Sequence, residues 1–73
     1  LSLKTARERI LHFIETEGCS GIVTLNQSKK DWAAELGLTH EALYRALAQM
    51  EKGGELRVEQ SRLALRRPTI FGG

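Results

Sequence analysis

The chain has 73 residues, of which 41% are hydrophobic and 27% charged, and its formal net charge is +2. That length suits one domain and is too short for two. A chain this small buries only about 60% of the surface its unfolded form exposes, which leaves little to wall a catalytic cleft.

Cys19 is the single cysteine, so the chain alone forms neither an internal disulfide nor a thiolate zinc site. This fits a reducing cytoplasm. No apolar run nears the roughly 18 residues that span a bilayer, and no signal-peptide pattern is present, so no membrane partner is expected. The start at Leu1, without methionine, suggests a piece of a longer protein. Charge is uneven along the chain. Residues 1–28 carry three basic and three acidic side chains, and residues 29–73 carry eight and six.

Thr5-Ala6-Arg7-Glu8 reads as a capping box, with a hydroxyl and a carboxylate three residues apart. Ala6, Ile10, Phe13 and Ile14 then fall on one helical stripe, and Gly18 ends the first helix. After a loop over 18–21, the run Ile22-Val23-Thr24-Leu25 has the β-branched character of one short strand. Ser28 is the next cap, with Asp31 as a weaker reciprocal partner. The second helix is expected over about 29–36, burying Trp32, Ala33 and Leu36. Gly37, Leu38 and the cap Thr39 follow. A third helix is expected from His40 to about Lys52, with Leu43, Ala46, Leu47 and Met50 inward, stopped by Gly53-Gly54.

Beyond that the period becomes two. Leu56 and Val58 alternate with Arg57 and Glu59, and Leu63 and Leu65 alternate with Ala64 and Arg66. Glu59 to Arg62 forms the turn between them, so this is a β-hairpin, although without an Asn-Gly signal. Pro68 is expected to close the second strand and Thr69 to Gly73 to form a tail.

Lys29 to Leu47 is the informative stretch. Two short helices joined by a glycine turn cross steeply, and that geometry needs a small residue at the contact, a turn glycine and an apolar wedge. Ala33, Gly37 and the leucines Leu36, Leu38 and Leu43 supply these, with Trp32 covering the open side. A helix held this way fits the major groove, where its first turns meet base edges. His40, Glu41, Tyr44 and Arg45 are the outward positions there.

Arg45 suits a two-pronged contact with guanine, and Glu41 accepts from a cytosine or adenine amino group. The same two residues also form an ordinary i, i+4 surface pair. His40 reads equally as a base or phosphate contact and as a solvated side chain. Tyr44 reads as a phosphate contact or as packing against the second helix. Ser28, Lys29, Lys30 and Thr39 at helix starts, and Arg57, Arg62, Arg66 and Arg67 around the hairpin, are candidate phosphate contacts. His12 and His40 lie far apart in sequence on different helices, which argues against a metal site.

With these residues in view, Leu25 to Leu65 resembles the C-terminal domain of the Crp/Fnr family of bacterial transcription regulators. The family pattern Leu-Ala-x-x-Leu-Gly-x-Ser/Thr-Arg-Glu-Thr-Val/Leu-x-Arg-x-Leu matches Trp32-Ala33-Ala34-Glu35-Leu36-Gly37-Leu38-Thr39-His40-Glu41-Ala42-Leu43-Tyr44-Arg45-Ala46-Leu47. Met50-Glu51 stands for the Leu-Glu that follows. The segment Leu3 to Ile10 resembles the one after the family's hinge.

The resemblance implies an α+β winged helix-turn-helix, with the helix-turn-helix about 28–51 and the wing about 55–67. It implies base reading by Glu41 and Arg45, with help from the residue at His40, and phosphate contact at Ser28 and Lys29. His40 stands where arginine is common, and Ala42 where a hydroxyl often holds phosphate.

Family members also carry an N-terminal β-roll effector domain and a long dimerisation helix. The effector is therefore unreadable here, no cofactor is expected in this domain, and homodimerisation belongs to segments outside the chain. The expected partner is double-stranded DNA, with RNA polymerase as a further partner of the parent protein. Two rivals stand beside this reading: a winged-helix protein–protein module, favoured by the low net charge, and a DNA-binding domain of another winged-helix family. No Cys–His or Ser–His–carboxylate set and no phosphate-cradling glycine motif points to an enzyme.

Overall fold

The computed structural model describes residues 5–66. The expectations for Leu3, Lys4, Arg67, Pro68 and the tail lie outside them. In chain order the elements are α1 (Ala6–Glu17), β1 (Ile22–Thr24), α2 (Lys29–Leu36), α3 (His40–Lys52), β2 (Leu56–Glu59) and β3 (Arg62–Leu65). This is the α+β winged-helix layout.

Each helix starts at a hydroxyl that takes an otherwise orphaned amide proton. The box at α1 is complete. The Glu8 amide donates to Thr5 Oγ1 at 3.1 Å, and the Thr5 amide donates to Glu8 Oε1 at 2.9 Å. At α2 only the serine half forms, the Asp31 amide donating to Ser28 Oγ at 3.1 Å. Thr39 accepts from the Ala42 amide at 3.0 Å and starts α3.

The turn between α2 and α3 requires its glycine. Gly37 sits at φ 76°, in left-handed space that costs any L side chain strain. Its amide donates to Ala34 O at 3.0 Å and that of Leu38 to Ala33 O at 2.8 Å, the paired bonds of a Schellman ending. Arg9 on α1 adds a guanidinium hydrogen bond to Leu36 O at 2.8 Å. A cation therefore caps the negative end of the α2 dipole and ties α1 to the turn.

The three strands form one antiparallel sheet in the order β1-β3-β2. The hairpin was legible in the sequence, but the partner of β1 was not: β1 pairs with β3, Val23 opposite Leu63. β1 ends at Thr24, and Leu25 continues the connection by donating its amide to Ser61 O at 2.7 Å. β3 is thus the central strand.

The core lies between the helices and one face of this sheet. Ile10 and Ile14 of α1, Trp32 of α2, Leu43 and Met50 of α3, Leu56 of β2 and Leu63 of β3 have almost no exposure. One expectation needs correction. Leu36 and Leu38 are half-buried rather than fully enclosed, because the turn they flank runs along the surface. Trp32 is fully enclosed, its ring packed against α1. Its ring meets Phe13 edge-on, with centroids 5.3 Å apart and planes at 62°. Among the described residues its indole Nε1 has no hydrogen-bond partner, where a buried indole N–H normally finds one.

Candidate nucleic-acid interface

The strongest helical amphipathicity belongs to α3. Leu43, Ala46, Leu47 and Met50 point into the core, while His40, Glu41, Tyr44 and Arg45 are exposed on the first two turns. The outward four form two i, i+4 pairs. Arg45 Nη2 lies 3.9 Å from Glu41 Oε2, with the side chains 72% and 86% exposed, so the pair is loose and solvated. The His40 and Tyr44 rings are 4.4 Å apart between centroids and tilted by 51°. Tyr44 is half exposed and packs on His40, a neighbour absent from the sequence reading.

Ser28 and Thr39 each use an oxygen lone pair for the cap. A hydroxyl has one proton and two lone pairs, so both keep an O–H to donate outward. Beside Ser28 the two lysines diverge. Lys30 is exposed and makes no ion pair or hydrogen bond among the described residues. Lys29 is half-buried and donates from Nζ to the Gln60 carbonyl at 2.7 Å.

The hairpin turn is the two-residue step Gln60-Ser61 between the paired Glu59 and Arg62. Gln60 adopts φ 55°, the left-handed region where a non-glycine residue is strained. At the base of this turn, Glu59 faces two cations. Arg57 Nε is 3.4 Å and Arg62 Nη1 3.8 Å from its carboxylate. Both wing arginines are exposed and lightly held, as surface pairs are.

Behind the wing an open groove of about 380 Å³ runs between α3 and β2, lined by Lys29, Tyr44, Leu47, Ala48, Glu51 and Val58. Glu51 Oε2 accepts the Val58 amide there at 3.2 Å, satisfying a donor of edge strand β2.

On another flank of α3, Arg7 on α1 grips Glu55 just before β2, its Nε lying 2.9 and 3.0 Å from the two carboxylate oxygens, and the pair lines an open pocket with Ala42, Arg45 and Gln49. Hydrogen bonding from Arg7 holds the Glu55 carboxyl below its ordinary range. Among the described residues, no group of three His, Cys, Asp or Glu side chains gathers as a metal site would require. No helix among them is long and apolar enough to cross a membrane.

The residues read from the sequence as site candidates thus divide in space. His40, Glu41, Tyr44 and Arg45 share one face of α3. Ser28, Lys29 and Lys30 stand at the start of α2, Thr39 at the start of α3, and Arg57 and Arg62 on the wing, with Arg66 exposed beyond β3. Three participants went unseen: the Gln60 carbonyl, Glu59 as the shared partner of two arginines, and Glu51 as a clamp on β2. The Glu59 arrangement had a signal in the alternation, since Arg57 and Glu59 share a strand face. The Gln60 carbonyl meets a lysine 31 positions away, and the Glu51 clamp forms across the glycine turn seven residues before Val58.

Two solved structures share this arrangement. FixK2 from Bradyrhizobium japonicum matches 92% of the chain with a TM-score of 0.74 and 33% sequence identity. A candidate cAMP-binding regulatory protein from Silicibacter pomeroyi matches 92% with a TM-score of 0.76 and 27% identity. Both are Crp/Fnr regulators. The domain shares the winged-helix fold of the Crp/Fnr family.

The chain spans 36% of the first of these proteins and 30% of the second. No family model matches the chain, and no curated protein matches it in sequence.

Proposed function

We propose that this domain binds double-stranded DNA in a sequence-specific manner, as the operator-reading part of a Crp/Fnr-type transcription regulator. The observation that carries the reading is the outward face of α3. Four side chains able to hydrogen-bond base edges occupy its first two turns, and the turn after α2 fixes that end of the helix. In this reading α3 enters the major groove, N-terminal end first.

Arg45 makes the bidentate contact to guanine O6 and N7, and Glu41 accepts from a cytosine or adenine amino group. Their mutual pair is an i, i+4 surface contact worth only about 0.2–0.5 kcal/mol, so exchanging it for base contacts costs little. His40 reaches a base or phosphate beside the helix start, and Tyr44 supports the imidazole through the ring contact at 4.4 Å.

Phosphate contacts position the domain without selecting sequence. Ser28 and Thr39 donate their free hydroxyl protons, Lys30 supplies an unpaired ammonium, and Arg57 and Arg62 exchange Glu59 for phosphate. The free amides at the start of each helix favour the same anion. In the parent regulator two copies read a near-palindromic site. Homodimerisation, an effector site and any contact with RNA polymerase belong to that larger protein, which works in the cytoplasm. The reaction class is binding, with no catalysis.

The test is selection from a random duplex pool, using two copies of the chain joined by a flexible tether. The expected product is a two-half-site motif with centres about 10 base pairs apart, bound more weakly as salt rises. Absence of both enrichment and low-salt binding refutes DNA reading and leaves the protein–protein module.

A further inference from the structure

We infer that Lys29 is a positioning residue for the wing rather than a phosphate ligand: its ammonium latches the hairpin turn through the Gln60 carbonyl and sets where Arg62 stands relative to α3. The role assigned to Arg62 rests on the DNA-binding reading above; the latch itself does not.

Three observations converge on this. First, the two adjacent lysines at the start of α2 are unlike. Lys30 is exposed, whereas Lys29 is half-buried and lines the groove between α3 and β2 with Leu47, Ala48 and Val58. A lysine stem laid along apolar surface with its head at the rim is an ordered side chain. Second, that head meets a specific acceptor. Nζ lies 2.7 Å from Gln60 O, a charge-assisted bond across 31 positions of sequence. Third, the acceptor is on a strained residue. Gln60 holds φ 55° without being glycine, and such a conformation persists where surrounding contacts over-determine it.

The sheet fixes the backbone on either side of the tip, Arg62 pairing with Glu59 of β2 and Thr24 of β1. Glu51 secures β2 at Val58, and Leu25 donates to Ser61 O at 2.7 Å on the β1 side. Lys29 adds a side-chain tie to the turn itself, from the helix that precedes α3. It therefore links the frame of α3 to the segment carrying Arg62, whose guanidinium among the described residues meets Glu59 at 3.8 Å. Pre-ordering a contact lowers the ordering cost at the moment of binding.

A phosphate ligand and a positioning residue respond differently to substitution. Lys29→Met keeps the apolar stem and removes the donor. In the free 73-residue chain, the ¹⁵N heteronuclear NOE at Gln60, Ser61 and Arg62 should fall in Lys29→Met and recover in Lys29→Arg, with α3 unchanged. On a selected duplex, Lys29→Met should weaken binding by about three- to tenfold, the scale of one exposed charge-assisted bond. The same substitution in an Arg62→Ala background should weaken binding less than twofold further. In a Lys30→Ala background the full loss should remain.

Unchanged NOE values at the turn overturn the latch. Equal losses with and without Arg62, or a fall of about 0.9 in the salt slope that Arg62→Ala does not absorb, make Lys29 a phosphate ligand and overturn the inference. Should the wild-type chain bind no duplex, the proposed function fails, and the NOE measurement alone still decides whether Lys29 holds the turn.

Discussion

Replacing Arg45 by alanine separates what the side chain does for the fold from what it does for recognition. In the free domain the guanidinium is 72% exposed on its side chain and has one partner, Glu41, at 3.9 Å. An i, i+4 pair of that kind stabilises a helix by about 0.2–0.5 kcal/mol, and alanine repays part of it through higher helix propensity. The melting temperature should therefore shift by no more than about 2–3 °C for a domain of this size.

Binding responds on a larger scale. A bidentate arginine–guanine contact is worth about 1–3 kcal/mol of discrimination, between fivefold and about 150-fold at one base pair. The assay is a competition titration of the tethered dimer against its selected duplex and against the three substitutions at each half-site position, alongside a thermal melt. Arg45→Ala should lose preference at a single position and keep its melting temperature. An unchanged ratio between selected and scrambled duplexes refutes base reading by Arg45. A large fall in melting temperature refutes the view of the side chain as structurally idle.

Three further outcomes follow from the packing. Leu43, in the first turn of α3, has no exposed surface, so Leu43→Ala should cost about 2–5 kcal/mol in urea unfolding; that is a large share of the roughly 4–11 kcal/mol available to 73 residues. A Cβ on Gly18 would lie 2.6 Å from the carbonyl oxygens of both Ile14 and Ile22, neither able to swing aside, whereas one on Gly37 meets the far end of a side chain, Arg9 Nη1 at 2.7 Å, which can give way at the cost of its bond to Leu36 O. Despite the positive φ of Gly37, Gly18→Ala should be the more destabilising of the two, and the reverse order in urea midpoints would count against this account of the α1 ending.

The Glu55 carboxyl is held below its ordinary range by hydrogen bonding from Arg7, so the unfolded state takes up its proton first as pH falls. The stabilisation is complete above the ordinary glutamate pKa of about 4.3 and drains as pH drops through the lower folded value. The melting-temperature difference between wild type and Glu55→Gln should shrink from pH 7 to pH 3, and a constant difference would remove the pair from the acid response.

Much of the fold was legible because its signals are local. Thr5 with Glu8, Ser28, Thr39 and Gly37 mark helix boundaries within three or four residues of themselves, and the structure starts and stops its helices there. The inward stripe of α3 and the alternation of β2 and β3 depend only on period, and both were recovered. The pairing of β1 with β3 joins residues some forty positions apart, and a three-residue strand names no partner.

The site was legible to the same depth. Exposure of His40, Glu41, Tyr44 and Arg45 follows from helical geometry alone. The unlike settings of Lys29 and Lys30 do not, because the groove that half-buries one of them exists only once the hairpin has docked. The absence of glycine at residue 60 likewise hid the left-handed turn.

Trp32 is the only tryptophan in the chain, it is fully shielded, and its ring sits edge-on to Phe13 rather than near α3's outward face. Its fluorescence should be blue-shifted in the native protein, red-shifted on denaturation, and unmoved by a ligand docked on the far side. The molecule thus carries a built-in optical reporter of its own integrity, able to tell a variant that cannot bind from one that cannot fold.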